Sequence, residues 1–341
     1  MSQKNTKRFR EIIPDFGLLA PGKRNSITDV AGVMVGHITI KKGADIRTGV
    51  TVIDPGQKNL FLKKLPAAIA VGNGFGKLAG YTQVAELGTL ETPIALTNTL
   101  AVGPVLQGLV ELTLSREKIE LPSTVNGVVG ETNDGLVNNI HAISIKPKDV
   151  QIAYENRSAS VEEGCVGAGT GTRCFSWKGG IGTASRVVSI QKKKYTVGVL
   201  MQTNFGGALT ILGKPVYQDL GKNDFNLEPK DDGSCMIVLA TDAPLDARQL
   251  KRVAARTFMG LARTGSVLAH GSGDYAIAFS TDRAGLSDSV GACISDDHLN
   301  QLFLAATEAT QECVYNALAA AETTSGRDGN VLEKLNLEEI L

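Results

Sequence analysis

The 341-residue sequence has little of what metal centres, disulfide scaffolds and histidine-based active sites are built from. It contains one tryptophan, four histidines and five cysteines. The cysteines are odd in number and none belongs to a Cys-x-x-Cys pair, so neither a disulfide framework nor a zinc-binding spacing is present. We therefore expect buried free thiols, and we expect neither a bound metal nor a cofactor.

An excess of charge of one sign and long apolar runs are also missing. The 35 basic and 35 acidic side chains balance, which argues against nucleic acid or an anionic membrane as the main partner. No apolar run reaches the roughly 20 residues of a membrane span. The basic, polar residues 1–10 are not followed by the apolar segment of a signal peptide. These features predict a cytoplasmic location.

The chain has instead an apolar content of 43% and 38 glycines, the composition of a globular protein with many tight turns. Its length allows one large domain or two ordinary ones. The residue patterns predict a β-hairpin over 186–202, an amphipathic helix over 246–261 and a long helix over 299–321. No internal repeat is visible, and residues 1–341 are treated as one domain.

Two glycine-rich stretches are similar to phosphate-binding loops without completing the motifs. Residues 72–77 join a predicted buried strand at 67–71 to a predicted helix at 78–87, which is the setting of a dinucleotide loop. The third glycine of that motif is replaced by Lys77. Residues 167–172 form a similar run, but no helical pattern follows them. We expect close-packed turns, the second lying around a site, and a ligand-binding or nucleotide-binding module stays open as an alternative.

A polar loop that ends in glycine runs directly into an apolar strand at residues 230–241. Ser234 is the last small polar residue before the apolar run, a position that suits a nucleophile. If the Gly233–Ser234 bond is cut, the hydroxyl and a new α-amine lie on one residue, and an amine with a pKa of roughly 8 can act as its base. Strand alternation puts Cys235 on the opposite face. The competing interpretation is an ordinary loop that enters a strand.

The segment before this boundary, residues 215–233, has the most linker-like composition of the chain. A polar, exposed segment can be cut without the loss of core contacts. We therefore predict cleavage between Gly233 and Ser234, which divides the chain into residues 1–233 and 234–341.

Two further polar residues stand where predicted strands end. Glu131 could pair with a substrate ammonium, and the alternative is a solvated turn acid. Asn204 could direct its amide N–H groups at a reacting carbonyl, and the alternative is a turn asparagine. The sequence around Ser272 is not a Gly-x-Ser-x-Gly nucleophile elbow, because His270 and Asp274 occupy the outer positions.

Motifs spread from residue 27 to residue 328 resemble those of the DmpA and β-peptidyl aminopeptidase family, peptidase family S58. The matching stretches are Arg47–Thr51, Gly130–Gly135, Gln202–Asn204, Gly233–Leu245, Gln249–Arg252 and Gly271–Asp274. Their common order makes the resemblance specific, which no single motif would do. The resemblance implies a self-processing N-terminal-serine hydrolase with an α+β fold, a four-layer αββα sandwich of the N-terminal-nucleophile-hydrolase type.

The resemblance also implies a role for each candidate residue. The catalytic residues carried over by position are Ser234, Asn204, Ser272 and Asp274, and the substrate-binding residues are Glu131 and Asn133. Ser234 would be the nucleophile and Asn204 the oxyanion donor, with Ser272 and Asp274 supporting the serine. Two positions depart from the family pattern. Tyrosine is frequent where this chain has Asn133, and glutamate is frequent where it has Asp274, so substrate preference and rate are affected.

The function that this resemblance implies is a self-processing serine aminopeptidase. It would release Gly, L-Ala, D-Ala or β-amino acids from peptides, amides or esters through an acyl-enzyme on Ser234. The family further implies a homo-oligomer, a tetramer of αβ units. The alternatives are an amidase or esterase with the same mechanism and a non-peptide substrate, and an uncleaved ligand-binding relative.

Overall fold

The computed structural model describes residues 7–116, 123–222, 233–287, 289 and 291–341. The greater part of the linker-like segment before Gly233 lies outside the described residues. The strands are β1 Met34–Lys42, β2 Ile46–Asp54, β3 Leu65–Gly74, β4 Leu78–Ala79, β5 Thr89–Leu90, β6 Ile94–Asn98, β7 Val128–Thr132, β8 Arg173–Cys174, β9 Trp177–Lys178, β10 Ile181–Ile190, β11 Lys193–Asn204, β12 Ser234–Thr241, β13 Gly273–Ser280, β14 Thr324–Ser325 and β15 Val331–Leu332. The helices are α1 Phe9–Ile12, α2 Tyr81–Leu87, α3 Val102–Arg116, α4 Pro147–Glu155, α5 Val216–Leu220, α6 Ala247–Ala262, α7 Leu299–Ala319 and α8 Leu337–Ile340.

Two mixed sheets form the centre of the fold. One has five strands in the order β1-β2-β6-β7-β4, and the other has six in the order β10-β11-β12-β13-β3-β5. Within the first, β6 and β7 are parallel. Within the second, β12 and β13 are parallel. Each parallel pair brings the corresponding ends of two strands to one edge of its sheet.

The sheets pack face to face and each carries helices on its other face. Leu96 and Val128 of the five-stranded sheet share a buried core with Leu200, Met236 and Ile277 of the six-stranded sheet. Helices α3 and α4 cover the outer face of the first sheet, and α6 and α7 cover that of the second. The layer order is αββα, so the architecture implied by the resemblance is confirmed. No helix in the described ranges is long and apolar enough to cross a membrane.

Strand β12 is buried along its whole length and lies inside the six-stranded sheet. It pairs antiparallel with β11 on one side and parallel with β13 on the other. Met236 and Val238 face the core between the sheets, whereas Cys235 and Ile237 face the helices, as alternation predicts. Strands β12 and β13 lie between β11 and β3, which both precede residue 233. A cut between Gly233 and Ser234 would therefore leave the two pieces joined by the hydrogen bonds of the sheet.

The predicted helix over 78–87 is wrong at its beginning. Leu78 and Ala79 form the short strand β4, which pairs with β7, and α2 begins only at Tyr81. Gly80 between them has a φ of +82°, a left-handed conformation that residues with side chains rarely adopt. The chain therefore turns at Gly80, and the apolar pair before it is free to extend the five-stranded sheet.

Candidate active site

Both sheets present strand ends to a common cavity of about 570 Å³. The five-stranded sheet contributes the ends of β6 and β7, and the six-stranded sheet contributes the end of β11 and the beginning of β12. The predicted site residues in the lining are Glu131, Asn133, Asn204, Gly233 and Ser234. A cavity of this volume suits a small organic ligand. We call this edge of the molecule the catalytic end.

Ser234 opens β12 and is only 5% exposed. Its Oγ makes no hydrogen bond to any described residue. Gly233 before it has a φ of +98°, and a Cβ at this position would lie 2.8 Å from the Cα of Phe205. Backbone conformation and crowding both require glycine here. The Gly-Ser pair at the strand boundary therefore presents an unpartnered hydroxyl to the cavity.

Asn204 lies directly opposite Ser234 in the antiparallel pairing of β11 and β12. Its Oδ1 accepts a hydrogen bond of 3.0 Å from the backbone N–H of Arg173. Because that group can only donate, the amide orientation is determined and the NH₂ group points the other way. This Nδ2 has no partner among the described residues. Opposed residues on a pair of strands have Cβ atoms about 5 Å apart, so an unpartnered donor stands beside the serine.

Glu131 is buried, with 3% of its surface exposed, which excludes a solvated turn acid. Its Oε1 accepts a 2.9 Å hydrogen bond from the backbone N–H of Lys77. Its Oε2 accepts from the hydroxyl of Thr99. A Cβ at Gly76 would lie 2.8 Å from Oε1. The carboxylate is held in place by neutral donors, and each oxygen keeps a second lone pair for another donor.

Asn133 is an exposed residue of the cavity lining. Its Oδ1 accepts a 2.9 Å hydrogen bond from the N–H of Gly135, the local bond typical of an asparagine turn. The next residue, Asp134, is buried, and its Oδ1 accepts from Asn138 Nδ2 at 2.8 Å. Burial raises the pKa of Asp134 to about 6, although hydrogen bonds from Thr48 and Asn138 lower it.

Ser272 and Asp274 are close to each other but do not belong to the cavity lining. The Ser272 hydroxyl donates to Asp274 Oδ1 at 2.9 Å, and the Cys235 thiol donates to the same oxygen at 3.2 Å. Burial raises the pKa of Asp274 to about 6 against the lowering effect of these two donors. Burial raises the pKa of Cys235 as well, so the thiol stays protonated and is a donor, not a competing nucleophile. The pair supports the sheet edge from the helix-facing side.

The incomplete dinucleotide motif has a positioning role that the sequence analysis missed. Asn73 Nδ2 lies 3.0 Å from the carbonyl oxygen of Ala269 and 2.9 Å from that of His270. The backbone N–H of Phe75 donates to the carbonyl of Ser272 at 3.3 Å. The N–H of Lys77 then reaches Glu131. Residues 72–77 therefore connect the Ser272 loop with the buried glutamate, and the failed motif was the only local signal.

No group of three or more His, Cys, Asp or Glu side chains within the described ranges is arranged to hold a metal ion. The site consists of a serine at the beginning of an inner strand, an asparagine opposite it and a buried carboxylate across the cavity. An αββα sandwich with a serine in this place is the arrangement of the N-terminal-nucleophile hydrolases, the class that the sequence resemblance implied.

Comparison with known proteins agrees with this class. The model of peptidase family S58 matches residues 25–332. The β-peptidyl aminopeptidase BapA of Sphingosinicella microcystinivorans is 38% identical over 352 aligned positions, which cover 94% of this chain and 87% of the relative. The chain therefore belongs to peptidase family S58 and is a hydrolase of the aminopeptidase type.

Two solved structures are similar along almost the whole chain. The PH0078 protein of Pyrococcus horikoshii OT3 has a TM-score of 0.90 and 42% identity, with 98% of both chains covered. The L-aminopeptidase D-Ala-esterase/amidase of Ochrobactrum anthropi, a prototype of the serine aminopeptidases with a variant Ntn-hydrolase fold, has a TM-score of 0.85 and 32% identity. Here 97% of this chain and 96% of the relative are covered. The predicted fold class is thereby confirmed.

Proposed function

We propose that the chain cleaves its own Gly233–Ser234 bond and then acts as a serine aminopeptidase on substrates with a small N-terminal residue. The observation that carries the proposal is the pairing of Ser234 with Asn204. An unpartnered hydroxyl and an unpartnered amide donor lie opposite each other at the edge of one cavity. Acyl transfer needs a nucleophile and a donor for the developing oxyanion in this relation.

Self-cleavage would begin with attack of Ser234 Oγ on the carbonyl carbon of Gly233. The peptide C–N bond breaks, the serine nitrogen becomes a free amine, and the glycine acyl group is transferred to Oγ as an ester. Water then hydrolyses the ester, which leaves a carboxylate on Gly233 and a free hydroxyl on Ser234. The pairing of β12 on both sides supports a product that stays folded after the cut.

Turnover of substrate would use the same atoms. Ser234 Oγ attacks the substrate carbonyl, and its proton passes to the new α-amine, a base of suitable pKa near neutral pH. Asn204 Nδ2 donates to the oxyanion, and one such donor is worth about 3–4 kcal/mol in other serine hydrolases. The leaving amine takes the proton. Water, deprotonated by the same α-amine, then releases the acyl group.

Glu131 would hold the free amine of the substrate. It is the only carboxylate in the described part of the cavity lining, which also carries Lys77, Arg173 and Arg327. Within the described lining, an ammonium group therefore finds a carboxylate partner at Glu131. This arrangement supports release of single N-terminal residues, because an internal peptide bond has no ammonium to offer.

The named relatives support small acyl groups, since one is a β-peptidyl aminopeptidase and another an L-aminopeptidase D-Ala-esterase/amidase. The second name also supports the alternative of an amidase or esterase with a non-peptide substrate. A panel of Gly, L-Ala, D-Ala and β-Ala peptides, with the matching amides and esters, separates the two. Preference for peptides by kcat/KM supports the aminopeptidase, and turnover of amides and esters alone supports the alternative.

The primary test is the covalent state of the purified protein. Two bands on a denaturing gel are expected, residues 1–233 and 234–341, and sequencing of the smaller must begin Ser-Cys-Met. Ser234→Ala should remain one chain and be inactive, whereas Ser234→Cys should cleave slowly because a thiolate is a good nucleophile. A single uncleaved band with no turnover of the panel would favour the ligand-binding alternative, and any other N-terminus would reject the cleavage site.

Two further properties are proposed on sequence grounds. They are a cytoplasmic location and a tetramer of αβ units, the second of which the family resemblance implies. Light scattering on the purified protein tests the assembly directly, because one, two and four αβ units differ twofold in mass at each step.

A further inference from the structure

A lysine without an acidic partner is buried beneath the glycine-rich loop. Lys178 is 0% exposed, and no ion pair joins it to any described residue. Its Nζ donates to the carbonyl oxygens of Gly169 at 3.0 Å, Thr172 at 3.0 Å and Gly179 at 2.8 Å. All three N–H bonds of the ammonium are thus used on backbone carbonyls. Burial lowers the pKa of Lys178, although the Cys165 thiol opposes this effect.

Burial of a cation without a carboxylate is unfavourable, so such residues are rare inside proteins. A methionine would fill similar space at no electrostatic cost, but it would remove one donor from each of three carbonyl groups and leave the Gly179 carbonyl without any donor among the described residues. The three carbonyls belong to the beginning and end of one loop and to the residue after the lysine. Lys178 is therefore the internal support that holds the 169–172 turn in its shape.

The supported turn leads directly to the oxyanion donor. Gly171 lies in the cavity lining, and Thr172 is followed by Arg173, the residue paired with Lys178 between β8 and β9. The backbone N–H of Arg173 donates to Asn204 Oδ1 at 3.0 Å. This bond determines which way the Asn204 amide points. The Thr172 carbonyl that the lysine holds and the Arg173 N–H that orients Asn204 belong to the same planar peptide group.

We propose that Lys178 is a positioning residue, whose contacts to the 169–172 turn fix the Arg173 N–H and thereby aim Asn204 Nδ2 at the oxyanion. The proposal rests on the proposed function, since it needs an Asn204-dependent reaction. The alternative is that the lysine only donates hydrogen bonds to three carbonyl groups and so stabilises the loop. The two differ in one measurable respect: a positioning residue acts through Asn204, and a merely stabilising one does not.

A double-mutant cycle makes this distinction. Lys178→Met is measured in the wild-type chain and in Asn204→Ala, with rates normalised to the amount of chain that begins at Ser234. In the wild-type chain we expect kcat to fall on the order of 10- to 100-fold with little change in KM, because misplacement of a catalytic group by about 1 Å has this scale. In Asn204→Ala we expect less than about a twofold further loss.

Equal factors in the two backgrounds would overturn the proposal, since the lysine would then act independently of Asn204. A loss confined to KM would overturn it as well. If Asn204→Ala does not change turnover in an otherwise wild-type chain, the proposed function itself is rejected, which is a different result. Arg186→Lys is the matched control: Arg186 is also fully buried, lies far along β10 from the cavity, and should lower Tm without changing kcat in either background.

Thr172→Val keeps the test decisive if Lys178→Met does not fold. The Thr172 hydroxyl donates to the same Gly169 carbonyl at 3.1 Å, and valine preserves the shape of the side chain. The turn also stays attached through the Phe175 N–H, which donates to Phe205 O at 2.9 Å. We expect a loss of several-fold in kcat that disappears in Asn204→Ala. The same loss in both backgrounds, or no loss in the wild-type chain, would reject the positioning role.

Discussion

Two buried groups of polar residues contact the six-stranded sheet, and they differ in whether their polar and charged side chains have partners. The ion-pair cluster, on the helix-covered face, joins Arg10 and Arg186 to Glu308 and Glu312. Arg186 Nε lies 3.0 Å from Glu308 Oε2, and Arg186 Nη2 lies 2.7 Å from Glu312 Oε2. Arg10 Nη2 lies 3.3 Å from the same Glu312 oxygen. Each charge in this cluster faces an opposite charge.

The catalytic end leaves polar groups without partners. Ser234 Oγ and Asn204 Nδ2 make no hydrogen bond within the described ranges. One oxygen of Asp134 and one of Asp274 are buried without a partner of hydrogen-bond geometry in the same part of the chain. Arg10 Nε and Arg186 Nη2 in the ion-pair cluster also lack a partner of that geometry, but both guanidinium groups face a carboxylate. Buried polar groups are normally paired, so groups left open are retained for chemistry or carry a stability cost. The contrast predicts that the ion-pair cluster determines stability and the catalytic end determines rate.

The largest effect should follow from breaking the ion-pair cluster. Arg186→Met leaves Glu308 without an ion partner among the described residues and Glu312 with Arg10 alone, and removal of one partner of a buried pair costs about 3–5 kcal/mol. Thermal unfolding should show a large fall in Tm, while kcat of the remaining folded protein stays at the wild-type value. Arg252→Met is the matched control, because its ion pair with Asp296 is exposed and is worth at most about 1 kcal/mol. Equal Tm losses would contradict the comparison.

The catalytic end should show the reverse pattern. In the proposed mechanism Asn204→Ala removes a donor that acts mainly in the transition state, so kcat should fall roughly 100- to 1000-fold with a modest change in KM. Tm should change little, because within the described residues the side-chain amide makes one hydrogen bond, with the Arg173 N–H. Steady-state kinetics on an L-Ala or β-Ala peptide measure both parameters. A raised KM with kcat intact would assign Asn204 to substrate binding instead.

The sequence predicts those features that depend on neighbours along the chain. The apolar run over 235–241 predicts the buried strand, and strand alternation predicts that Cys235 lies on the face opposite Ser234, which the structure shows to be the helix-covered face. The Gly-Ser boundary indicates a nucleophile, but its position opposite Asn204 depends on strand pairing, which no local pattern determines. Asn73 was missed for the same reason, since its acceptors at Ala269 and His270 lie almost 200 residues further along the chain.

Glu131 shows how burial changes an interpretation that residue type alone leaves open. An acid at the end of a strand is usually solvated, yet only 3% of the surface of Glu131 is exposed. Its burial becomes apparent only when β7, the Lys77 turn and Thr99 are brought together. The sequence indicates Glu131 as a candidate, but it does not predict the burial or the contacts of the side chain.

Glu131→Gln tests whether this carboxylate binds the free amine of the substrate. Loss of one partner of a buried charge pair costs about 2–5 kcal/mol, so kcat/KM for free-amine substrates should fall at least about 30-fold. The ratio between free-amine and N-acetylated substrates should narrow, because the acetylated ones never made the pair. Tm must remain near the wild-type value. Wild-type rates on free-amine substrates would reject the role, and Asp134 would be the next acid to test.

The smallest expected effect concerns Asp134 and Asp274. Each of these buried aspartates has one carboxylate oxygen without a hydrogen-bond partner in the described ranges. The pKa values of Asp134 and Asp274 are both about 6, above the usual 3.8, because burial disfavours the charged carboxylate. The folded protein therefore binds these protons more tightly than the unfolded chain does. Their contribution to stability is complete below about pH 4 and is lost as the pH rises through about 6.

Asparagine mimics the protonated acid, so Asp134→Asn and Asp274→Asn should each raise the free energy of unfolding at pH 8 by on the order of 2 kcal/mol and leave it unchanged at pH 4. Their kinetics should differ. Asp134 bonds Asn138, a structural amide, whereas Asp274 accepts from Ser272 and from the Cys235 thiol beside the nucleophile. Asp274→Asn should therefore also lower kcat, and Asp134→Asn should not. If Asp274→Asn keeps wild-type kcat between pH 5 and pH 8, Asp274 belongs with Asp134 among the groups that affect stability alone, and the support of the serine must come from Ser272 without its acid.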